Sequence, residues 1–201
     1  MHVEIGVDDK LALVLAGGGV AGIAWELGVL RGLADVDLTL AERLIGADIV
    51  VGTSAGSSVA AQITSGHALD DLYAAQLRPD SAVIEVDVDL EVLFARMVDA
   101  MGAATSPLDA RRRVGALALE TSTVEPAIRL TAVDARLPVK HWPDRDLRIV
   151  AVDAESGETA VFGPGSGVSL LDAVASSCAV PGVWPRWRST VAAISTAGRA
   201  R

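Results

Sequence analysis

The 201-residue chain reads as an α/β protein with a mostly parallel central sheet flanked by helices. Three observations predict this. An apolar run, a glycine-rich turn and a helix-compatible stretch follow one another twice within the first 65 residues, which is the pattern of parallel strands joined by crossover helices. A later apolar run at 147–152 is followed by the turn signal Ser156-Gly157 and a second short run, the pattern of a hairpin. Hydrophobic content is 51 % with few aromatics, so Ala, Val and Leu must fill one core of a size that such a length can bury.

The elements follow in order. Residues 11–16 form a short continuous apolar run, as a buried strand requires. Gly17, Gly18 and Gly19 interrupt it, and 20–34 then places Ile23, Leu27, Leu30 and Leu33 at helical spacing. A second strand is predicted at 47–51 and a helix at 55–65. From 67 to 137 the pattern is mainly helical: Leu90, Leu93, Met97 and Met101, then Val114, Leu117 and Leu119, mark amphipathic segments. Ser106-Pro107 and Ser122-Thr123 are predicted helix starts. The run Arg111, Arg112, Arg113 reads as a solvated helix face rather than a headgroup contact. Strands are predicted at 147–152 and 159–162, a loop at 163–167 and a short helix at 170–177. Pro181-Gly182 and Trp184-Pro185 end regular structure.

Composition excludes several classes. The net charge of −9 opposes a nucleic-acid footprint. No apolar run approaches the length of a membrane span, and Glu4, Asp8 and Asp9 near the start are unlike the basic opening of a signal peptide. The single cysteine, Cys178, rules out an internal disulfide framework and fits a reducing compartment; a small buried hydrophobe is its expected role. A cytoplasmic protein is expected. The charge is uneven: residues 1–185 hold 13 basic against 26 acidic groups, net −13, whereas 186–201 hold Arg186, Arg188, Arg199 and Arg201 and no acid.

Chemistry concentrates at Gly52-Thr53-Ser54-Ala55-Gly56, a G-x-S-x-G pentapeptide after a predicted strand and before a predicted helix. A serine on so sharp a turn is held out of the sheet with its hydroxyl exposed. The alternative is a glycine-rich turn with a capping serine. A second motif, Gly17-Gly18-Gly19-Val20-Ala21-Gly22, formally matches G-x-G-x-x-G. As a dinucleotide fingerprint it needs an acid at the end of the following strand. Asp35 and Asp37 have about the right spacing but fall beside the end of the first helix. As an oxyanion hole it needs only backbone N–H groups at a helix N-terminus, aimed where acyl transfer builds negative charge.

Together these segments resemble the patatin-like phospholipase family, whose pattern is a G-G-G-x-[KR]-G oxyanion loop, a G-x-S-x-G nucleophile about thirty-five residues on, and a later D-G-[GA]. LALVLAGGGVAGIAWELGVL at 11–30 looks like the first motif and IVVGTSAGSSVAA at 49–61 like the second. SLLDAVASSCAVPGVWP at 169–185 resembles the helix and Pro-rich turn that precede the third. The resemblance implies a three-layer patatin-type fold and a Ser–Asp dyad that needs no histidine. It makes Ser54 the nucleophile and Gly17, Gly18 and Gly19 the oxyanion loop, with N–H groups from Gly18 and Gly19; Gly22, Gly52 and Gly56 complete the motifs. It implies an acyl lipid or phospholipid substrate, transient contact with a membrane surface, and neither metal nor organic cofactor.

The chain departs from the pattern twice. Ala21 stands where many relatives carry Lys or Arg, and no D-G-[GA] occurs in 1–201. Neither Asp153, at a strand end, nor Asp172, on a helix, matches the dyad aspartate, and His2, His67 and His141 sit in surface or terminal contexts. Codons for 186–201 read one frame over permit Val-Glu-Ile-Asp-Gly-Arg-Arg-Tyr-Ile-Asp-Gly-Gly-Ala. A shifted frame or truncated coding sequence is therefore expected, against a natural basic tail. The expected organisation is an N-terminal extension at 1–9, a partial patatin-like domain at 10–185 lacking its C-terminal part, and a foreign basic tail at 186–201. The expected function is hydrolysis of acyl esters, impaired by lack of the aspartate. The alternatives are a non-catalytic acyl-lipid-binding remnant and, third, a dinucleotide-binding domain.

Overall fold

The computed structural model of the chain describes residues 10–78 and 88–185. The expected extension 1–9, including His2, and the expected tail 186–201 lie outside the described residues.

The described residues form four strands and eight helices, in the order β1 (Ala12–Leu15), α1 (Gly19–Val36), α2 (Leu38–Ile45), β2 (Ile49–Thr53), α3 (Ala55–Ile63), α4 (Leu69–Gln76), α5 (Leu90–Gly102), α6 (Pro107–Glu120), α7 (Pro126–Asp134), β3 (Asp146–Val152), β4 (Thr159–Phe162) and α8 (Leu170–Ser177). The fold is α/β with a mostly parallel sheet, as predicted. Its strands lie in the order β1-β2-β3-β4; β1 to β3 are parallel and β4 returns antiparallel as the expected hairpin. Parallel register stacks Leu13, Val50 and Leu147 in one row and Leu15, Gly52 and Ile149 in the next.

Side chains alternate across a strand, so these rows share one face. That face is the core side: Leu15, Val50, Leu147 and Ile149 are buried there against α3 and α8. The coverage is unequal, because Val14, Arg148 and Val161 on the other face are exposed. Helix α3 sits deepest, with all nine residues buried. Only small side chains allow that approach: a Cβ at Gly52 would lie 2.6 Å from the Cα of Ser57, and one at Gly56 would run into the backbone of Leu15.

Local signals account for most boundaries. The Ser106 hydroxyl accepts from Asp109 N–H at 3.1 Å with Pro107 in the first turn, and the Ser169 hydroxyl starts α8 in the same way on Asp172. Helix α8 occupies the predicted span. Two readings are corrected. The start expected at Ser122-Thr123 lies at Pro126, with Glu125 before it making no side-chain cap, because proline is preorganised for the first helical position. The arginine run is more than a solvated face: Arg111 and Arg112 each donate Nε–H to a carbonyl of the β3–β4 turn, Gly157 at 2.6 Å and Ser156 at 2.8 Å. Helix α2 was not predicted; Asp37 starts it by accepting from Leu40 N–H at 3.0 Å.

Candidate active site

Ser54 occupies the one-residue junction between β2 and α3 with φ 54° and ψ −118°. It is the one non-glycine residue with positive φ among the described residues. Such a conformation costs of order 1–3 kcal/mol and persists only where the surroundings over-determine it. Here they do. The Ser54 N–H donates to the Ser177 hydroxyl at 2.8 Å, and that hydroxyl donates onward to Val150 O at 2.6 Å. The Ser54 carbonyl accepts from Ser57 Oγ at 2.6 Å, Ser57 N–H at 2.9 Å and Cys178 Sγ at 3.2 Å. Every backbone polar group of Ser54 is committed, while its side chain makes no capping bond to α3. A capping serine, the alternative reading of the pentapeptide, would spend its hydroxyl on the helix.

The Gly-rich turn lies against this serine. A Cβ placed on Gly17 would stand 3.5 Å from Ser54 Cβ and 3.9 Å from Ser54 Oγ. Gly18 caps α1 and Gly19 is its first residue, so by position neither N–H has an intrahelical acceptor. Gly19 has φ +62°, and no atom lies within 4 Å of a Cβ built there; its need for glycine is conformational. Gly22 packs on the elbow, its notional Cβ 3.1 Å from Ala55 Cβ. The structure thus brings together all seven motif residues that the sequence singled out: Gly17, Gly18, Gly19, Gly22, Gly52, Ser54 and Gly56. The N–H of Ala55, first in α3 and next after the serine, is a further donor without an intrahelical acceptor; the pattern of a nucleophile elbow assigns that position to the oxyanion hole.

One residue joins loop and elbow. Ala16 accepts from Gly56 N–H at 2.7 Å and donates its own N–H to Glu26 Oε1 at 2.9 Å. Glu26 is 7 % exposed. Burial pushes its carboxyl above the usual range, partly offset by the Ala16 N–H.

The other candidates lie elsewhere or are engaged. His67 is exposed beside Ser65 and His141 is exposed. Asp153 accepts from Ser156 N–H at 2.7 Å, Ser156 Oγ at 2.8 Å and Glu155 N–H at 3.1 Å. These donors hold its carboxyl below the usual range and tie it to the β3–β4 turn. The acids weighed for a ribose are also taken: Asp35 pairs with Arg31 and Asp37 caps α2. The sheet also runs in sequence order, with no reversal of strand order among the described strands to make the crevice where dinucleotides bind. No cluster of three His, Cys, Asp or Glu suited to a metal occurs among the described residues. No described helix is long and apolar enough to cross a membrane.

Cys178 is buried as expected, but it belongs to the site, with its sulfur also 3.6 Å from Ser57 Oγ. Sequence reasoning missed Ser177 and Glu26. Ser177 carried no local signal, because its partner is 123 residues away. Glu26 carried one: an acid inside the stripe Ile23, Leu27, Leu30 that α1 buries.

A family model described as "Patatin-like phospholipase" matches residues 13–192. The crystal structure of the type III effector protein ExoU is similar to the chain at 22 % identity and a TM-score of 0.45, over 85 % of this chain and 40 % of that one. The chain therefore spans about two-fifths of that protein's length. No curated protein matches the chain significantly.

Proposed function

The chain belongs to the patatin-like phospholipase family, and from that premise we propose that it is a serine acyl hydrolase acting on ester bonds of phospholipid or another acyl lipid, with Ser54 as nucleophile. The observation that carries this reading is the strained conformation of Ser54, held at every backbone group while the hydroxyl is left uncommitted over Gly17. Ser54 Oγ attacks the acyl carbonyl and gives up its proton to a base. The carbonyl π electrons move to oxygen, which the N–H groups of Gly18 and Gly19 in the Gly17–Gly19 loop receive, joined by that of Ala55. Collapse expels the alcohol with a proton and leaves an acyl-serine, which water hydrolyses to the fatty acid.

The base is the weak point. No Asp-Gly-Gly or Asp-Gly-Ala occurs in 1–201, and Asp153 is spent on its own turn. The 201-residue chain is therefore proposed to turn over esters slowly, with a nucleophile better placed than it is activated. The domain is taken as residues 10–185, with 1–9 an extension and 186–201 set apart by its charge. Contact with a membrane surface would be transient, made during access to lipid from the cytoplasm.

A fluorophosphonate probe tests this directly. Labelling of the folded chain at Ser54, abolished by Ser54→Ala, is expected; a folded chain that never labels overturns it. That result would favour the second reading, a non-catalytic acyl-lipid-binding remnant, for which the engagement of Asp153 in its own turn already speaks. Vigorous, Ser54-dependent hydrolysis of a chromogenic ester would show instead that another residue supplies the base.

A further inference from the structure

Glu26 is an acid where α1 calls for an apolar side chain. Positions 23, 26, 27 and 30 share one helix face, and all four are buried. One carboxyl oxygen accepts from Ala16 N–H at 2.9 Å, and the other, Oε2, is buried with no hydrogen-bond partner. Leaving a buried polar atom unpaired costs about 1–3 kcal/mol. A leucine would fill the same stripe without that cost, so packing does not explain the residue.

Its one bond does. Ala16 is the last residue before the glycine turn, and its carbonyl is held by Gly56 N–H at 2.7 Å, two residues beyond Ser54. A carboxyl on the N–H side and the elbow on the carbonyl side hold Ala16 through both of its flanking peptides. Gly17, the next residue, lies against Ser54. The backbone orientation at Ala16 thus sets where the glycine turn and its donors stand relative to the Ser54 hydroxyl.

We infer that Glu26 is a positioning residue: through its bond to Ala16 N–H it fixes the Gly17–Gly19 loop against Ser54, at a cost in fold stability. The inference rests on the reading of Ser54 and the glycine loop given above. The test compares the unmodified chain with Glu26→Gln, which keeps an acceptor oxygen of the same reach, and with Glu26→Leu and Glu26→Met, which do not. Three measurements are made: fluorophosphonate labelling rate, melting temperature, and amide exchange over residues 16–22.

Glu26→Gln should label within about twofold of the unmodified chain. The apolar variants should label roughly 10- to 100-fold more slowly, as expected for a loop displaced by a fraction of an ångström or more. Their melting temperatures should equal or exceed that of the unmodified chain, and their exchange should be faster at 16–22. A structural role alone would lower the melting temperature and leave labelling of the folded fraction unchanged, which overturns the inference. If the unmodified chain does not label, the reading of Ser54 fails, but exchange still decides for Glu26. Faster exchange confined to 16–22 in the apolar variants supports its hold on the loop, and equal exchange in all four proteins removes it.

Discussion

The backbone N–H of Ser54 donates to the hydroxyl of Ser177 at 2.8 Å, joining residues 123 positions apart. Ser177 passes the bond on to Val150 O at 2.6 Å, so one hydroxyl ties the elbow, β3 and the end of α8 together. Ser177→Ala leaves a partly buried donor and acceptor without that partner. A loss of about 1–3 kcal/mol is expected by chemical denaturation, with slower phosphonate labelling of Ser54 as its backbone conformation relaxes. An unchanged midpoint and an unchanged rate would show that Ser54 does not depend on this bond.

The glycines of the two motifs should differ in what they tolerate. At Gly19 the cost of alanine is only that of φ +62°, since nothing crowds a Cβ there; about 1 kcal/mol is expected. At Gly56 a Cβ meets the Leu15 backbone, which cannot rotate away as a side chain can. Gly56→Ala should cost about 3 kcal/mol or more, or prevent folding. Thermal denaturation of the two variants side by side checks the order; equal effects would contradict it.

Asp153 and Glu26 should make opposite contributions to the pH dependence of stability. Asp153 is lowered, first by the Ser156 N–H and then by the Ser156 hydroxyl. Its contribution is present above the ordinary aspartate range and is lost as pH falls through its depressed folded-state value. Glu26 is raised by burial. The folded state holds its proton more tightly, so its contribution is full below the ordinary glutamate range and is lost as pH rises through the raised value. Melting curves from acid to neutral pH should therefore flatten at the acid end in Asp153→Asn. They should flatten on the rising side in Glu26→Gln. Superimposable profiles would show that neither carboxyl is perturbed.

Arg111 and Arg112 grip the β3–β4 turn through the carbonyls of Gly157 and Ser156. Replacing either by alanine should cost about 1 kcal/mol, and the double variant should speed amide exchange over 153–158 ahead of the rest of the sheet. Uniform exchange across the sheet would show that the turn holds without them.

Half-buried Arg129 stacks on the Trp184 ring at 4.2 Å, while desolvation lowers its affinity for a proton. Trp184→Leu should remove the stacking and cost about 1 kcal/mol. A variant as stable as the unmodified chain would show that the contact contributes nothing.

The sequence carried whatever depends on near neighbours. The strand, the pentapeptide and the helix around Ser54 announce the elbow because a sharp turn restricts residue size within five positions. Ser106-Pro107 and Ser169 announce their helices because a cap bonds three residues ahead. The α7 start was misplaced because Ser122 and Thr123 are equally good caps on paper, and only the proline at 126 is used.

Tertiary structure decided what the elbow rests on. Ser177, Cys178 and Glu26 meet Ser54 or the glycine turn across long stretches of chain, or against the apolar pattern of their own helix, and no local preference encodes such a meeting. The sequence by itself determined that a serine would stand at the end of β2 with a glycine turn somewhere before it. Only packing of α3 on β1 and β2, with α1 and α8 against α3, placed that turn on Ser54, because the Gly17 N–H shares its peptide plane with the Ala16 carbonyl, which Gly56 holds from across the fold.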